Sequence, residues 1–145
     1  IKEWEMDRFR GRSIGVVFQR LHLLSAISVL NNLLLAQRLA RMTPDKKKAM
    51  TLLDRLGIAG QAHALPAMLS QGQAQRAAIA RAVIHSPSLV IGDEPTSALD
   101  NSSAADAIQL IKELSESVGF ALLIVTHDER VRSSMDRVLD LESQT

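Results

Sequence analysis

The chain contains no cysteine in 145 residues, so disulfides, thiolate metal centres and cysteine nucleophiles are excluded. It also lacks a long apolar run. The longest, Phe120 to Val125, falls far short of the roughly 20 residues a membrane-spanning helix needs. The opening Ile1-Lys2-Glu3-Trp4 has no apolar stretch behind a basic one, so it does not read as a secretory signal. Neither sign of charge dominates: 17 Lys and Arg face 16 Asp and Glu, a net charge of +1. That balance gives no reason to expect nucleic acid or an acidic membrane surface as the main partner. No repeat of solenoid period and no low-complexity tract is present. An initiator Met is missing as well.

What remains is ordinary for a globular chain. Hydrophobic residues make up 46% and charged residues 23%, and the length suits one domain or part of one. Residues up to Arg12 are charged and mixed and receive no element. Ile14-Gly15-Val16-Val17-Phe18 reads as a short buried strand. From Val29 to Met42 the apolar residues fall at helical spacing. Thr43-Pro44-Asp45 then reads as a cap, a first-turn proline and a first-turn acid, opening a helix that runs to Leu56 and stops at Gly57. Ser70 and Gln73 fit a capping box at the head of an alanine-rich helix over 71–84. Leu89 to Gly92 reads as a buried strand, 102–117 as a helix ended by Gly119, and Ala121 to Val125 as a second apolar strand. A short helix to Met135 and a last strand over Val138 to Leu141 complete the expectation. Strands apolar on both faces, joined by helices, predict a parallel sheet covered by helices. The stretch Leu21 to Met68 has no strand signal and reads as a helical insertion.

In an open parallel sheet, ligands gather beyond the carboxyl ends of the strands. Gln19 follows the first strand, Asp93 and Glu94 the second, and His127 the third. One shared sheet would bring all four to one edge. An amide, two carboxylates and an imidazole suit a metal-bound polyphosphate. One carboxylate can hold Mg²⁺ through its waters, and the other can orient or deprotonate an attacking water. The amide and the imidazole can hydrogen-bond that water or a terminal phosphate. Taken singly, Gln19 is more often a solvated loop residue, and His127 is as often structural as chemical. Adjacent acids behind a buried strand are the stronger sign, because charge there is costly unless used. Leu69-Ser70-Gln71-Gly72-Gln73 marks a second place, readable either as a plain capped helix start or as an anion site built on one. Lys46-Lys47-Lys48 reads as a solvated helix face. His22, His63 and His85 lack metal-ligand spacing.

These motifs resemble one known family. Val17-Phe18-Gln19 is similar to a Q-loop, and Leu69-Ser70-Gln71-Gly72-Gln73 to the signature LSGGQ, continued by Gln75-Arg76 and Ile79-Ala80-Arg81-Ala82. Leu89 to Thr96 resembles a Walker B strand with its glutamate, Ser97-Ala98-Leu99-Asp100 a D-loop, and Ile124 to Asp128 a switch-histidine segment. In this order they resemble the nucleotide-binding subunit of ATP-binding cassette (ABC) transporters. His22-Leu23-Leu24 and Thr126 to Val131 look most like the lipoprotein-releasing and macrolide-type exporters. The resemblance implies an α/β fold: part of a P-loop NTPase, with a parallel sheet core flanked by helices and a helical subdomain inserted. Residues 1–20 would be core strand and Q-loop, 21–70 the helical subdomain, and 71–145 the signature helix, Walker B, D-loop and switch-histidine core.

The resemblance also implies ATP and Mg²⁺. Glu94 would be the general base, His127 would contact the γ-phosphate, and Gln19 would sense γ-phosphate, metal and water. Asp93, with Gln19, would serve Mg²⁺. Ser70, Gly72 and Gln73 would face ATP held by the opposite subunit, and Asp100 would work across that interface. The implied partners are a second such subunit, packed head to tail, and a transmembrane permease subunit. The implied location is the cytoplasmic face of a membrane, and the implied task is powering export.

Two departures are local. Gln71 stands where the motif has glycine, and Gly92 stands inside the Walker B strand, where its lack of a side chain predicts weaker packing. The larger departure is that no Lys follows a Gly, so the chain has no G-x-x-x-x-G-K-[ST] phosphate cradle. The expectation is a fragment without its N-terminal portion, with an uncovered sheet edge and faces, that binds ATP poorly and does not hydrolyse it. Two other readings stand beside it: a non-catalytic interaction module or gene relic, and a soluble ABC ATPase without a membrane partner.

Overall fold

The protein is described by a computed structural model over residues 3–141. Three five-residue strands, β1 (Ile14–Phe18), β2 (Leu89–Asp93) and β3 (Ala121–Val125), form one parallel sheet in the order β1-β2-β3. The register runs from Ile14–Leu89–Ala121 to Phe18–Asp93–Val125, so all three strands end level. β-Branched and apolar residues favour these pleated runs. Parallel neighbours require crossovers. Between β1 and β2 the chain forms α2 (Val29–Leu39), α3 (Lys46–Arg55), two single 3₁₀ turns and α4 (Gln71–Val83). Between β2 and β3 it forms α5 (Asn101–Leu114) and a π-helical turn, Ser115–Gly119. α6 (Glu129–Arg132) follows β3, and α1 (Glu3–Ser13) precedes β1.

The period-2 register places Gly15, Val17, Val90, Gly92, Leu122 and Ile124 on one face. α4 lies close against β1. A Cβ built on Gly15 would sit 1.9 Å from the carbonyl oxygen of Ala82, backbone against backbone. Alanine-rich α4 permits the approach: Ala77, Ala78, Ala80 and Ala82 are all buried. Leu33, Leu53, Leu56, Ile58, Ile79 and Ile84 join Val17 and Val90 in the same core. The expected looseness at Gly92 is absent, because Pro95 Cγ lies 3.0 Å from where its Cβ would be and Ile124 fills the other side. The opposite face is less covered. There Leu123 and Val125 are each 50% exposed, so the described residues cover one sheet face more completely than the other.

The helix ends follow local chemistry. Ser28 caps α2 by accepting from Asn31 N–H at 3.1 Å. Buried Asn32 fastens the chain before it, accepting from Leu24 N–H at 2.9 Å and donating to Ser28 O at 3.0 Å. α2 ends at Leu39, short of Met42, because Arg41 turns left-handed at φ 59°. α3 is capped by Asp45, which accepts from Lys48 N–H at 3.0 Å, rather than by Thr43. Pro44 therefore lies outside the helix, and the carboxylate meets the free N–H groups of the first turn. The capping box of α4 forms in both directions, with Gln73 N–H to Ser70 Oγ at 3.1 Å and Ser70 N–H to Gln73 Oε1 at 3.0 Å. Ser70→Ala is expected to cost about 1 kcal/mol, read as a lower denaturant midpoint; an unchanged midpoint would refute it.

Two expectations at the ends are corrected. α1 forms in the charged segment that received no element, with Glu3 and Glu5 in its first turn, where acids complement the helix dipole. The strand expected over Val138 to Leu141 does not form, and α6 ends at Arg132 rather than near Met135. Apolar character alone does not make a strand, which needs an adjacent edge to bond. Instead Arg132 grips Asp140 with two hydrogen bonds of 2.7 Å. Leu139 and Leu141 are left 72% and 92% exposed.

Candidate functional site

Because the strands end level, Gln19, Asp93, Glu94 and the Thr126–Asp128 segment share one edge of the sheet. Glu94 is the first residue past β2, and its backbone is left-handed at φ 49°. For a residue with a Cβ this costs roughly 1–3 kcal/mol and persists only where its surroundings enforce it. They do so here. Glu94 N–H donates to Val125 O at 2.8 Å. Its Oε2 accepts from Thr126 Oγ1 at 2.8 Å, and its Oε1 from the His127 N–H at 2.9 Å. The turn thus swings the carboxylate across to the end of β3. The side chain keeps 21% of its surface exposed, so water reaches it, and His127 Nε2 lies 4.0 Å from Oε1 with its ring fully exposed.

Asp93 and Gln19 are exposed at the same edge. Neither side chain is hydrogen-bonded among the described residues. The segment after β1 is fixed from α4, where the Arg81 guanidinium donates to the carbonyls of Leu21 and His22. The His22 ring packs edge-on against Phe18 at 5.0 Å. Phe18, His22, Leu24, Leu35, Ala36 and Leu39 line part of a groove of about 390 Å³ between β1 and α2.

The second candidate place, Ser70–Gln73, sits at the head of α4 with Ser70 and Gly72 exposed. It is tied to the chain beyond β2, since the Gln71 side chain donates to Ala98 O at 3.0 Å. Asp100 caps α5, accepting from Ser103 N–H at 2.8 Å, and that bond holds its carboxyl below the usual range.

The sequence reading missed the residues that hold these parts together. Thr126 clasps Glu94 and accepts from Asp128 N–H at 2.9 Å. Buried Thr96 donates to Asp128 at 2.7 Å. The Arg130 guanidinium beside Asp128 holds that carboxyl far below the ordinary range, against the opposing effect of partial burial. Thr126 and Asp128 flank His127 in sequence, which is the one signal that could have singled them out. Thr96 and Arg130 lie inside the motif segments named above, but no role for them follows from the sequence, because Thr96 meets Asp128 from 32 positions away and Arg130 reaches back to residues 96–101.

The family described as "ABC transporter" matches residues 1–97. The "Lipoprotein-releasing system ATP-binding protein LolD" of Legionella pneumophila (strain Paris) is 40% identical over 143 residues, 97% of this chain and 63% of that protein. The "Macrolide export ATP-binding/permease protein MacB" of Chromobacterium violaceum is 37% identical over 139 residues, 94% of this chain and 21% of that protein. The chain therefore spans less than two thirds of the length of these curated relatives. Among solved structures, the "Dimeric structure of a post-hydrolysis state of the ATP-binding cassette MJ0796 bound to ADP and Pi" superposes with a TM-score of 0.76 at 34% identity, over 90% of this chain and 59% of that one.

Proposed function

The chain belongs to the ABC transporter family, and from that premise we propose that it is part of an ATP-hydrolysing subunit that powers export across a membrane. The observation carrying this reading is the strained Glu94, turned so that Thr126 and His127 hold its carboxylate at a water-accessible sheet edge. Each carboxylate oxygen accepts one hydrogen bond and keeps a lone pair for an attacking water. Water's oxygen bonds the γ-phosphorus, the bridge to the β-phosphate breaks, and the water proton passes to Glu94. The exposed His127 ring hydrogen-bonds the transferred phosphoryl oxygens.

Mg²⁺ supplies charge neutralisation when bound. Asp93 and Gln19 fit it as exposed oxygen donors with no hydrogen-bond partner among the described residues, since Mg²⁺ takes few protein ligands and keeps waters. Ser70, Gly72 and Gln73 present the head of α4 to a γ-phosphate held by a second subunit, and Asp100 serves the same interface. Residues 21–70 form the helical subdomain in this reading. In this reading the apolar groove beside Phe18 and Leu39 would receive a helix of the permease, and the subunit would sit at the cytoplasmic face of the membrane. No helix among the described residues is long and apolar enough to cross it.

The phosphate cradle is not among the residues of this chain, so residues 1–145 alone are expected to show no multiple turnovers of ATP. Two measurements test the reading. Sequencing upstream of the Ile1 codon should show an in-frame G-x-x-x-x-G-K-[ST]. The polypeptide translated with that sequence should hydrolyse ATP in a Mg²⁺-dependent way. Unrelated upstream sequence would overturn the reading in favour of a non-catalytic docking module. Turnover by residues 1–145 alone, abolished by Glu94→Gln, would overturn the assigned need for a cradle.

A further inference from the structure

The segment between β2 and α5, residues 94–100, touches both candidate places. Four of its carbonyls are taken by side chains from other elements. From α4, Gln71 donates to Ala98 O at 3.0 Å and buried Gln75 to Pro95 O at 2.9 Å. From α6, Arg130 reaches across the other side. Its Nη2 donates to Thr96 O at 3.0 Å, and its Nη1 to Leu99 O at 2.8 Å and to the Asn101 side-chain oxygen at 3.1 Å. The same guanidinium grips Asp128, through Nε at 2.9 Å and Nη2 at 2.7 Å. Asp128 in turn receives the Thr96 hydroxyl and caps α6, one residue beyond His127.

We propose that Gln71 and Arg130 are positioning residues that pin residues 94–100 from opposite sides, so that the head of α4 and the Glu94–Thr126–His127 cluster respond together. The roles of the two places rest on the ATPase reading; the coupling between them rests on these bonds. Only a planar guanidinium can serve carbonyls 96 and 99, Asn101 and a bidentate carboxylate at once. A lysine ammonium has the charge and not the fork. Gln71 stands where the motif this segment resembles has glycine, which has no side chain to reach Ala98. A chain with the motif's glycine at this position could not make that pin.

Amide and carboxyl NMR of the 145-residue chain tests the proposal. Gln71→Gly is expected to shift the amides of Ala98 to Asp100 and, beyond them, those of His127 and Arg130, while the melting temperature stays close to the parent's. Arg130→Gln should move the same amides and those of Gln71 and Gly72, and bring the Asp128 carboxyl titration back up toward the ordinary range. Arg130→Lys should restore neither. Shifts from Gln71→Gly that stop at Ala98, or restoration by Arg130→Lys, would overturn the proposal. If Arg130→Gln fails to fold, Gln71→Gly decides alone, since its side chain is exposed. A coupled chain whose upstream-extended form does not hydrolyse ATP would keep this inference and lose the ATPase reading.

Discussion

Gly15→Val should yield no folded protein. The Cβ it adds would lie 1.9 Å from the carbonyl oxygen of Ala82, 2.9 Å from its carbonyl carbon and 3.4 Å from its Cα. These are backbone atoms in the last turn of α4, so no rotamer change relieves the clash. The helix would have to lift from β1. That would expose Ala77, Ala78 and Ala80, now buried, and loosen the core that Ile79 and Ile84 share with Leu53 and Leu56. Ordinary overpacking costs about 1–3 kcal/mol, and lifting a helix adds lost burial at about 25 cal/mol per Å². Against a total stability of about 5–15 kcal/mol, the sum approaches the whole. Gly15→Ala carries the same first atom and should already lower the melting temperature sharply. Gly60→Ala is the control, because a Cβ there meets nothing within 4 Å. Circular dichroism during heating decides. A cooperative transition for Gly15→Val near that of the parent would show that α4 does not pack as described.

The same glycine shows what a sequence discloses and what it withholds. Ile14–Phe18 and Ala121–Val125 were legible as strands because a run of apolar, β-branched residues has few other uses. Ser70 and Gln73 were legible as a capping box because the interaction is local, three residues apart. That Gly15 must be glycine was not legible, because the reason lies in Ala82, 67 positions away. The cap of α3 was misplaced by two residues, since Thr43 and Asp45 both suit the role and only the path of the chain chooses between them. Val138 to Leu141 carried a strand's composition without a strand's neighbour. At the site, the four residues at the strand ends could be named from sequence, since parallel strands carry their carboxyl ends to the same side of the sheet. The strain at Glu94, the Thr126 clasp and the Arg130 fork could not. Each depends on the register between β2 and β3, which no single segment encodes.

The largest effect on chemistry is expected at Glu94. In the polypeptide translated with its upstream coding sequence, Glu94→Gln should lower ATP turnover by about 10²–10⁴-fold, the usual contribution of a positioned general base. Nucleotide affinity should change little. The substitution suits the question because glutamine has the same shape. Its oxygen can keep the hydrogen bond from His127 N–H, while its amide turns to donate to Thr126 Oγ1, a hydroxyl able to accept. The left-handed turn should survive and only the capacity to take a proton should go. Thr126→Val asks the complementary question. It leaves the carboxylate in place and removes the donor to Oε2, together with the acceptor of the Asp128 N–H, so Glu94 loses one of its two fixed points. A misplaced catalytic group can cost up to about 10²-fold, and the loss should fall on kcat with KM nearly held. Steady-state hydrolysis of both variants, beside nucleotide binding, separates the roles. If Glu94→Gln turned over within a few-fold of the parent, the base would have to be another group, and the strain at φ 49° would need a structural reason. If Thr126→Val matched the parent while Glu94→Gln failed, the carboxylate would act without its clasp, and the His127 N–H alone would suffice to aim it.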